Sequence, residues 1–161
     1  RGGLDFAHRL GLPGYVVIDA GHSAGRRLRD FGDFGDESSP RQAYLVECGF
    51  HFDAASVDVA HQVSRRFLDV TGACPGLSAG QPASAQVTVQ ITEAVTIRSQ
   101  DFRFTAPIDS MQVIPAAGTL IALDGAVEIR TPYDNCVIVM PAPARYSLAG
   151  MTAVRLGRQV V

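Results

Sequence analysis

The sequence predicts a mixed α/β protein with an α/β region over residues 1–72, a linker over 73–86 and an all-β region over 87–161. Three observations support this division. An apolar, strand-like run at residues 43–47 precedes a segment with helical periodicity, which is half of an α/β unit. Residues 73–85 are rich in proline, glycine and small side chains and carry no charge. Beyond them, apolar residues alternate with polar ones, as in strands with one buried face.

Two helices and two strands are expected in the α/β region. A short helix is predicted over residues 6–12, and an apolar strand over 15–18 then meets Asp19. The second strand, residues 43–47, is apolar enough to be buried on both faces. The second helix begins near Asp53, which is a favoured cap residue. Its apolar face is formed by four residues at helical spacing: Val59, Val63, Phe67 and Val70.

The second region is predicted to be a small all-β sandwich or barrel. Residues 87–92 alternate between apolar and polar side chains. Further short strands are expected at residues 120–123, 127–130 and 136–140. The dipeptide Asp124-Gly125 between the first two of these strands is a strong hairpin signal. No helix is predicted after Thr71.

Charge and cysteine content restrict the possible partners and compartment. A net charge of −2 gives no electrostatic basis for binding nucleic acid or an anionic membrane surface. No window approaches the ~18 consecutive apolar residues of a membrane-spanning helix, and the first residues lack a signal peptide's apolar core. The 3 cysteines are far apart, which argues against a disulfide framework and against a clustered zinc site. A cytoplasmic location is therefore expected.

Glu47 is the strongest candidate for chemistry because it ends an apolar strand. Open α/β sheets place their working residues just beyond the carboxyl ends of such strands, and a general base would be held there. His51 follows in the turn that leads to the second helix. The structural alternatives are a Glu47 carboxylate paired with a nearby arginine and a His51 that serves only as a hydrogen-bonding residue.

The segment after the first strand offers two further possibilities. Arg26 and Arg27 could bind a substrate carboxylate through paired hydrogen bonds, although a solvated loop explains them equally well. Ser23 lies between Gly21 and Gly25 at the spacing of a nucleophile elbow, which leaves a serine hydrolase as an alternative function. All 14 basic residues are arginine, so chemistry that needs a lysine is excluded.

Residues 17–27, the motif Val46-Glu47-Cys48-Gly49-Phe50-His51 ahead of a helix, and the C-terminal β-region together resemble the succinylglutamate desuccinylase/aspartoacylase family. This family is a branch of the zinc carboxypeptidase-like hydrolases. The resemblance implies a partial carboxypeptidase-like α/β domain followed by the β-domain. It also implies hydrolysis of the amide bond of an N-acyl amino acid with one zinc ion.

The same resemblance assigns roles to individual residues. It places the family's E-x-G motif on Glu47, which would be the general base for a zinc-bound water. Arg41 resembles the arginine that holds a substrate carboxylate, a task that Arg26 or Arg27 could perform instead. Tyr146 resembles the β-domain tyrosine that reaches the active site, and His51 is expected to be a pocket residue.

The family's zinc ligands, an H-x-x-E pair and a later histidine, are absent from this sequence. They are expected upstream of this chain, so the 161 residues alone are expected to be inactive and to contribute no metal ligand. Association with a missing N-terminal portion, or with further copies of the chain, is expected. The substrate partner would be a small N-acyl amino acid.

A non-catalytic β-rich module is the remaining alternative. The C-terminal region resembles the barrel-sandwich of biotinyl and lipoyl carriers, but a carrier needs a lysine at a hairpin tip and the sequence has none. A passive domain that shapes substrate access or binds other subunits remains open.

Overall fold

The computed structural model describes residues 2–19, 27, 31–36, 38–41, 43–78 and 85–160. They form a mixed α/β structure with two β-sheets, which confirms the predicted fold class. The chain divides into two compact units. Unit 1 comprises Arg1–Val16 and Gly21–Val87, and unit 2 comprises Val17–Ala20 and Thr88–Val161. The boundaries predicted from composition, at residues 73–86, stay a prediction.

Unit 1 is built on two helices, α1 (Gly2–Leu10) and α2 (Ala55–Val70). Phe6 of α1 is only 4% exposed, and its ring lies edge-on to Phe67 of α2, with 5.7 Å between centroids. The guanidinium of Arg66 donates a hydrogen bond of 3.0 Å to the carbonyl of Leu10, one of the last carbonyls of α1. Aromatic packing and this polar bond therefore join the two helices.

Helix α2 begins and ends close to the predicted positions. The Asp53 carboxylate accepts the N–H of Ala55 at 3.0 Å, which satisfies one of the free donors of the first turn. At the other end the Thr71 hydroxyl donates to the carbonyl of Phe67 at 2.8 Å, and Gly72 has a φ of +77°. A left-handed glycine here is a common helix stop.

Residues 73–78, in the first half of the predicted linker, fold back onto the end of α2. The Asp69 carboxylate accepts the N–H of Gly76 at 2.7 Å and the hydroxyl of the buried Ser78. The Ser78 hydroxyl first, and then the Gly76 N–H, hold the pKa of Asp69 below its ordinary value. These residues extend the packed surface of unit 1.

The prediction of a strand at residues 43–47 is wrong. Residues 43–48 form no strand, because no main-chain ladder joins them to another described segment. Burial nevertheless alternates with a period of two from Tyr44 to Cys48, as in extended chain. The strand is absent because a strand also requires a hydrogen-bonded partner, which these residues lack within the described part of the chain.

The β-structure comprises eight strands within the described residues. They are β1 (Tyr15–Ile18), β2 (Val87–Thr96), β3 (Phe102–Phe104), β4 (Val113–Ile114), β5 (Leu120–Asp124), β6 (Val127–Arg130), β7 (Cys136–Val139) and β8 (Thr152–Val160). One sheet has the order β1-β2-β8-β7-β4 and the other the order β3-β5-β6. The predicted first strand, β1, is thus the neighbour of β2 in the larger sheet, whereas the sequence had assigned it to the α/β region.

Side chains from both sheets form the core of unit 2, as in a sandwich. Ile121 on β5, Ile138 on β7 and Leu156 on β8 are at most 2% exposed. Asp124 at the end of β5 accepts the N–H groups of Arg98 and Ser99 at 2.7 and 2.8 Å. The Ser99 hydroxyl first, and then these N–H groups, lower the pKa of Asp124.

Candidate functional site

Glu47 lies on the exposed side of residues 43–48. Tyr44, Val46 and Cys48 are half-buried beside α2, whereas Leu45 and Glu47 are exposed. In the part of the chain that the structure describes, no salt bridge or side-chain hydrogen bond engages the Glu47 carboxylate. The alternative that Glu47 pairs with an arginine is therefore not observed among these residues.

Arg41, the predicted carboxylate-binding residue, is paired with another partner in unit 1. Its Nη1 lies 3.2 Å from Oδ2 of Asp33, and both side chains are 63% exposed. An ion pair this exposed stabilises a fold by about 0–1 kcal/mol. The guanidinium can therefore exchange Asp33 for another carboxylate at little cost.

His51 lies in the turn that precedes α2, as the sequence predicted, and the residue is exposed. Its neighbours Phe50 and Phe52 form an edge-on pair with 5.5 Å between ring centroids. Both rings are largely exposed, at 52% and 72%. The turn therefore presents an imidazole beside two aromatic rings on the surface of unit 1.

Tyr146 belongs to unit 2 and lies in a short 3-10 helix, Ala144–Tyr146. Its side chain is 51% exposed, and the guanidinium carbon of Arg145 lies 4.8 Å from the centre of its ring. This distance is within the range of a cation–π interaction. The Tyr146 side chain is therefore exposed beside the positive charge of Arg145. The sequence analysis did not include Arg145 in the site.

The remaining predicted positions are described only in part. Arg27 is half-buried. Arg26, His22 and Ser23 lie outside the described residues, so the serine-hydrolase alternative stays a prediction. Among the described residues no hydrogen bond or ion pair joins two of the predicted site residues to each other.

The described residues of each unit line an open groove that the sequence did not predict. The groove of unit 1 has a volume of about 420 Å³ and lies between α2 and residues 43–48. Its wall includes Tyr44, whose hydroxyl donates to the carbonyl of Leu12 at 3.3 Å and whose pKa is raised by burial. The groove of unit 2, about 460 Å³, is lined by Phe102, Phe104 and the residues that flank Arg145 and Tyr146. Tyr44, Val46 and Cys48 are every second residue of this segment and all lie in the wall of the first groove, so their spacing is the sequence pattern that could have indicated it.

The described residues do not fit a zinc site. Within residues 2–19, 27, 31–36, 38–41, 43–78 and 85–160, no group of three His, Cys, Asp or Glu side chains is arranged to hold a metal ion. A zinc site needs at least three protein ligands. Over the same described residues, no helix is both long and apolar enough to cross a membrane.

Comparison with known proteins shows the fold. No family model and no curated protein matches the sequence. Among solved structures, the chain is similar to succinylglutamate desuccinylase from Vibrio parahaemolyticus, with a TM-score of 0.60 and 16% sequence identity. The match covers 98% of this chain and 44% of that chain. The chain thus has the fold of part of a desuccinylase and spans less than half of that structure's length.

Proposed function

We propose that this chain is part of a zinc-dependent amidohydrolase that deacylates N-acyl amino acids, with Glu47 as its general base. One observation carries the proposal: Glu47 of the E-x-G motif presents an exposed carboxylate, just ahead of α2, in a chain that shares the fold of a succinylglutamate desuccinylase. A general base needs such access to the proton that it removes.

Glu47 would act on the water that attacks the amide carbonyl. Its carboxylate accepts a proton from the water as the new C–O bond forms. It then donates that proton to the leaving nitrogen as the C–N bond breaks. The products are the acyl carboxylate and the free amino acid, and Glu47 returns to its ionised form.

Zinc dependence and substrate contacts complete the proposal. The described residues form no metal site and the sequence contains no H-x-x-E pair, so we propose that the zinc ligands are carried by polypeptide outside these 161 residues. Arg41 would exchange Asp33 for a substrate carboxylate, with Arg26 and Arg27 as alternatives for the same task. His51 and Tyr146 would contact the rest of the substrate.

The decisive experiment replaces Glu47 with glutamine in the full-length protein and measures deacylation of a panel of N-acyl amino acids. We expect the Glu47→Gln variant to lose about 10²–10⁴-fold in kcat, the usual contribution of a general base. Zinc content and unfolding temperature should not change. The matched control is Glu93→Gln, at an exposed glutamate on β2.

Full activity of the Glu47→Gln variant would remove Glu47 from the mechanism. Labelling of Ser23 by a fluorophosphonate probe would instead favour the serine hydrolase. If the protein deacylates no substrate, binds no zinc and is not labelled by the probe, the remaining hypothesis is a non-catalytic β-rich module that shapes substrate access or binds other subunits.

A further inference from the structure

The groove of unit 2 follows the edge of a sheet. Strand β3 is an outer strand of the sheet β3-β5-β6, and its neighbour among the described strands is β5. Consecutive residues from 102 to 108 line the groove. Successive side chains of a strand point to opposite faces of its sheet. A wall that includes Phe102, Arg103 and Phe104 together therefore follows the free edge of β3 rather than one face.

The register of β3 shows which main-chain groups lie on this free edge. Thr105, which follows β3, donates its N–H to the carbonyl of Ile121 on β5 at 3.0 Å. In an antiparallel pair, the main-chain groups of alternate residues point to the same side. Those of Phe102 and Phe104 therefore point away from β5. Over the described part of the chain no hydrogen bond engages them, so they are a template for another strand.

The opposite wall of the groove is made of small side chains. It is formed by Ala144 and Ser147, from the 3-10 helix and the residue that ends it. Residues three apart lie on the same face of a 3-10 helix, which places both side chains toward the groove. The space of about 460 Å³ thus has a main-chain edge on one side and little side-chain bulk on the other. An added strand, about 4.8 Å from β3, needs such a space.

The charge of the groove comes from Arg103, the only ionisable residue in its lining. Its side chain is exposed, and among the described residues its guanidinium has no ion pair or hydrogen bond. Glu128, on the same sheet face two strands away, is already paired with Arg130 at 2.8 Å. A strand added at the free edge would meet Arg103 in a non-hydrogen-bonded pair, in which side chains lie closest. A carboxylate is therefore favoured directly opposite Arg103.

We propose that the free edge of β3 binds an extended peptide in which one acidic residue lies between two apolar, β-branched residues. The carboxylate pairs with Arg103, and the β-branched side chains lie opposite Phe102 and Phe104, a favourable cross-strand combination. A second copy of β3 in the same register would place Arg103 opposite Arg103, which is destabilising. The charge thus favours a different polypeptide as the partner. The proposal does not depend on the hydrolase function.

The test is a titration of the isotope-labelled 161-residue chain with the capped peptide Thr-Val-Glu-Val-Thr, followed by NMR. The amide signals of Phe102 and Phe104 should shift, and their hydrogen exchange should slow. A peptide with glutamine in place of glutamate should bind about 2–5-fold more weakly, because it lacks the ion pair. A peptide N-methylated at both valines should not bind, since it cannot donate to the main chain of β3.

A charge reversal separates recognition from a folding defect. The Arg103→Glu variant should bind the peptide Thr-Val-Arg-Val-Thr more tightly than Thr-Val-Glu-Val-Thr, the reverse of the wild-type order. A misfolded variant would bind neither peptide. The matched control is Arg130→Glu on β6, the other outer strand of the same sheet. It changes the net charge equally and should keep the wild-type order.

Three results would overturn the proposal. Slow exchange of the Phe102 and Phe104 amides without peptide would show that the edge is already paired within the molecule. Equal binding of the N-methylated peptide would exclude main-chain pairing, and absence of any shift would exclude the site. An unchanged peptide order in Arg103→Glu would exclude Arg103 as the residue that selects the partner.

Discussion

The two units bury their apolar side chains in different ways. Unit 2 has a continuous core between two sheets, in which Ile97, Ile121 and Ile138 are almost completely buried. Unit 1 buries Phe6 and Leu10 between its helices but leaves Leu45 and the turn before α2 exposed. Unit 2 therefore buries paired strands in a common core, whereas in unit 1 the main-chain groups of residues 43–48 bond to no other main-chain group among the described residues.

The largest effect should come from the core of unit 2. Ile138 on β7 is 0% exposed, so Ile138→Ala removes buried methyl groups and leaves a cavity. We expect the free energy of unfolding to fall by about 2–5 kcal/mol, measured by urea denaturation. The control is Val127→Ala on β6, which is 63% exposed and should change stability by less than about 0.5 kcal/mol. Equal losses in the two variants would contradict the assignment of the core.

A smaller loss is expected from Gly157→Ala on β8. A Cβ at this position would lie 2.7 Å from Cγ1 of Val89 and 3.0 Å from the carbonyl oxygen of Gln90. Overpacking of this kind costs about 1–3 kcal/mol. Adding Val89→Ala should recover part of the loss in thermal unfolding, because it removes the nearer atom. Gly14→Ala, with no atom within 4 Å of its Cβ, is the control.

The third expected effect is a loss of stability at acid pH, caused by protonation of Asp124. The pKa of Asp124 is lowered in the folded state by the Ser99 hydroxyl and the N–H of Arg98, so the ionised carboxylate stabilises the fold. This contribution is present above the ordinary aspartate value of about 3.9 and is lost as the pH falls through the lower folded pKa. The urea concentration at the unfolding midpoint of the wild type should therefore decrease when the pH is lowered below about 4.

Asp124→Asn should flatten that part of the pH profile and lower stability at neutral pH. The control, Asp109→Asn at an exposed aspartate, should keep the wild-type profile. An unchanged acid slope in the Asp124→Asn variant would show that other carboxylates, such as Asp69 in unit 1, determine acid stability.

The smallest effect is expected on the exposed side of unit 1. Phe52 is 72% exposed, so Phe52→Ser should change the free energy of unfolding by no more than about 0.5 kcal/mol. The midpoint of urea denaturation provides the measurement. A loss above about 1 kcal/mol would place Phe52 in the core of unit 1 and weaken the contrast between the units.

Local patterns predicted the parts of the fold that depend on neighbours in sequence. The hairpin β5–β6 was predicted because Asp124-Gly125 joins two short apolar strands, and Gly125 has the required positive φ of +61°. Helix α2 was predicted from its apolar face. Both features need only local information, since turn chemistry and helical spacing act over a few residues.

Features that depend on distant partners were not predictable. The apolar pattern of residues 43–47 predicted a strand, but a local pattern does not show whether another segment lies beside it to form the ladder. Strand β8 was missed because Arg155, Gly157 and Arg158 interrupt a simple apolar alternation, and its pairing with β2 has register shifts at Ile91/Glu93 and Val95/Thr96.

The candidate site was predictable as a motif but not as a set of contacts. The E-x-G sequence identified Glu47, and the structure shows that its carboxylate is exposed. Arg41 pairs with Asp33, and the Arg145 guanidinium lies over the Tyr146 ring. Both contacts depend on side-chain geometry, which the spacing of residues in the sequence does not predict.

The position of β8 also determines the order in which the larger sheet can assemble. This strand follows all the others in sequence, yet it lies between β2 and β7, and Thr88 of β2 pairs with Val160 near its end. During synthesis, the edge of β2 that pairs with β8 stays unpaired until residues 152–160 leave the ribosome, whereas the β5–β6 hairpin can form as soon as it emerges. Because non-local pairing is slow to form, closure of the sheet by β8 is expected to be a late step in folding.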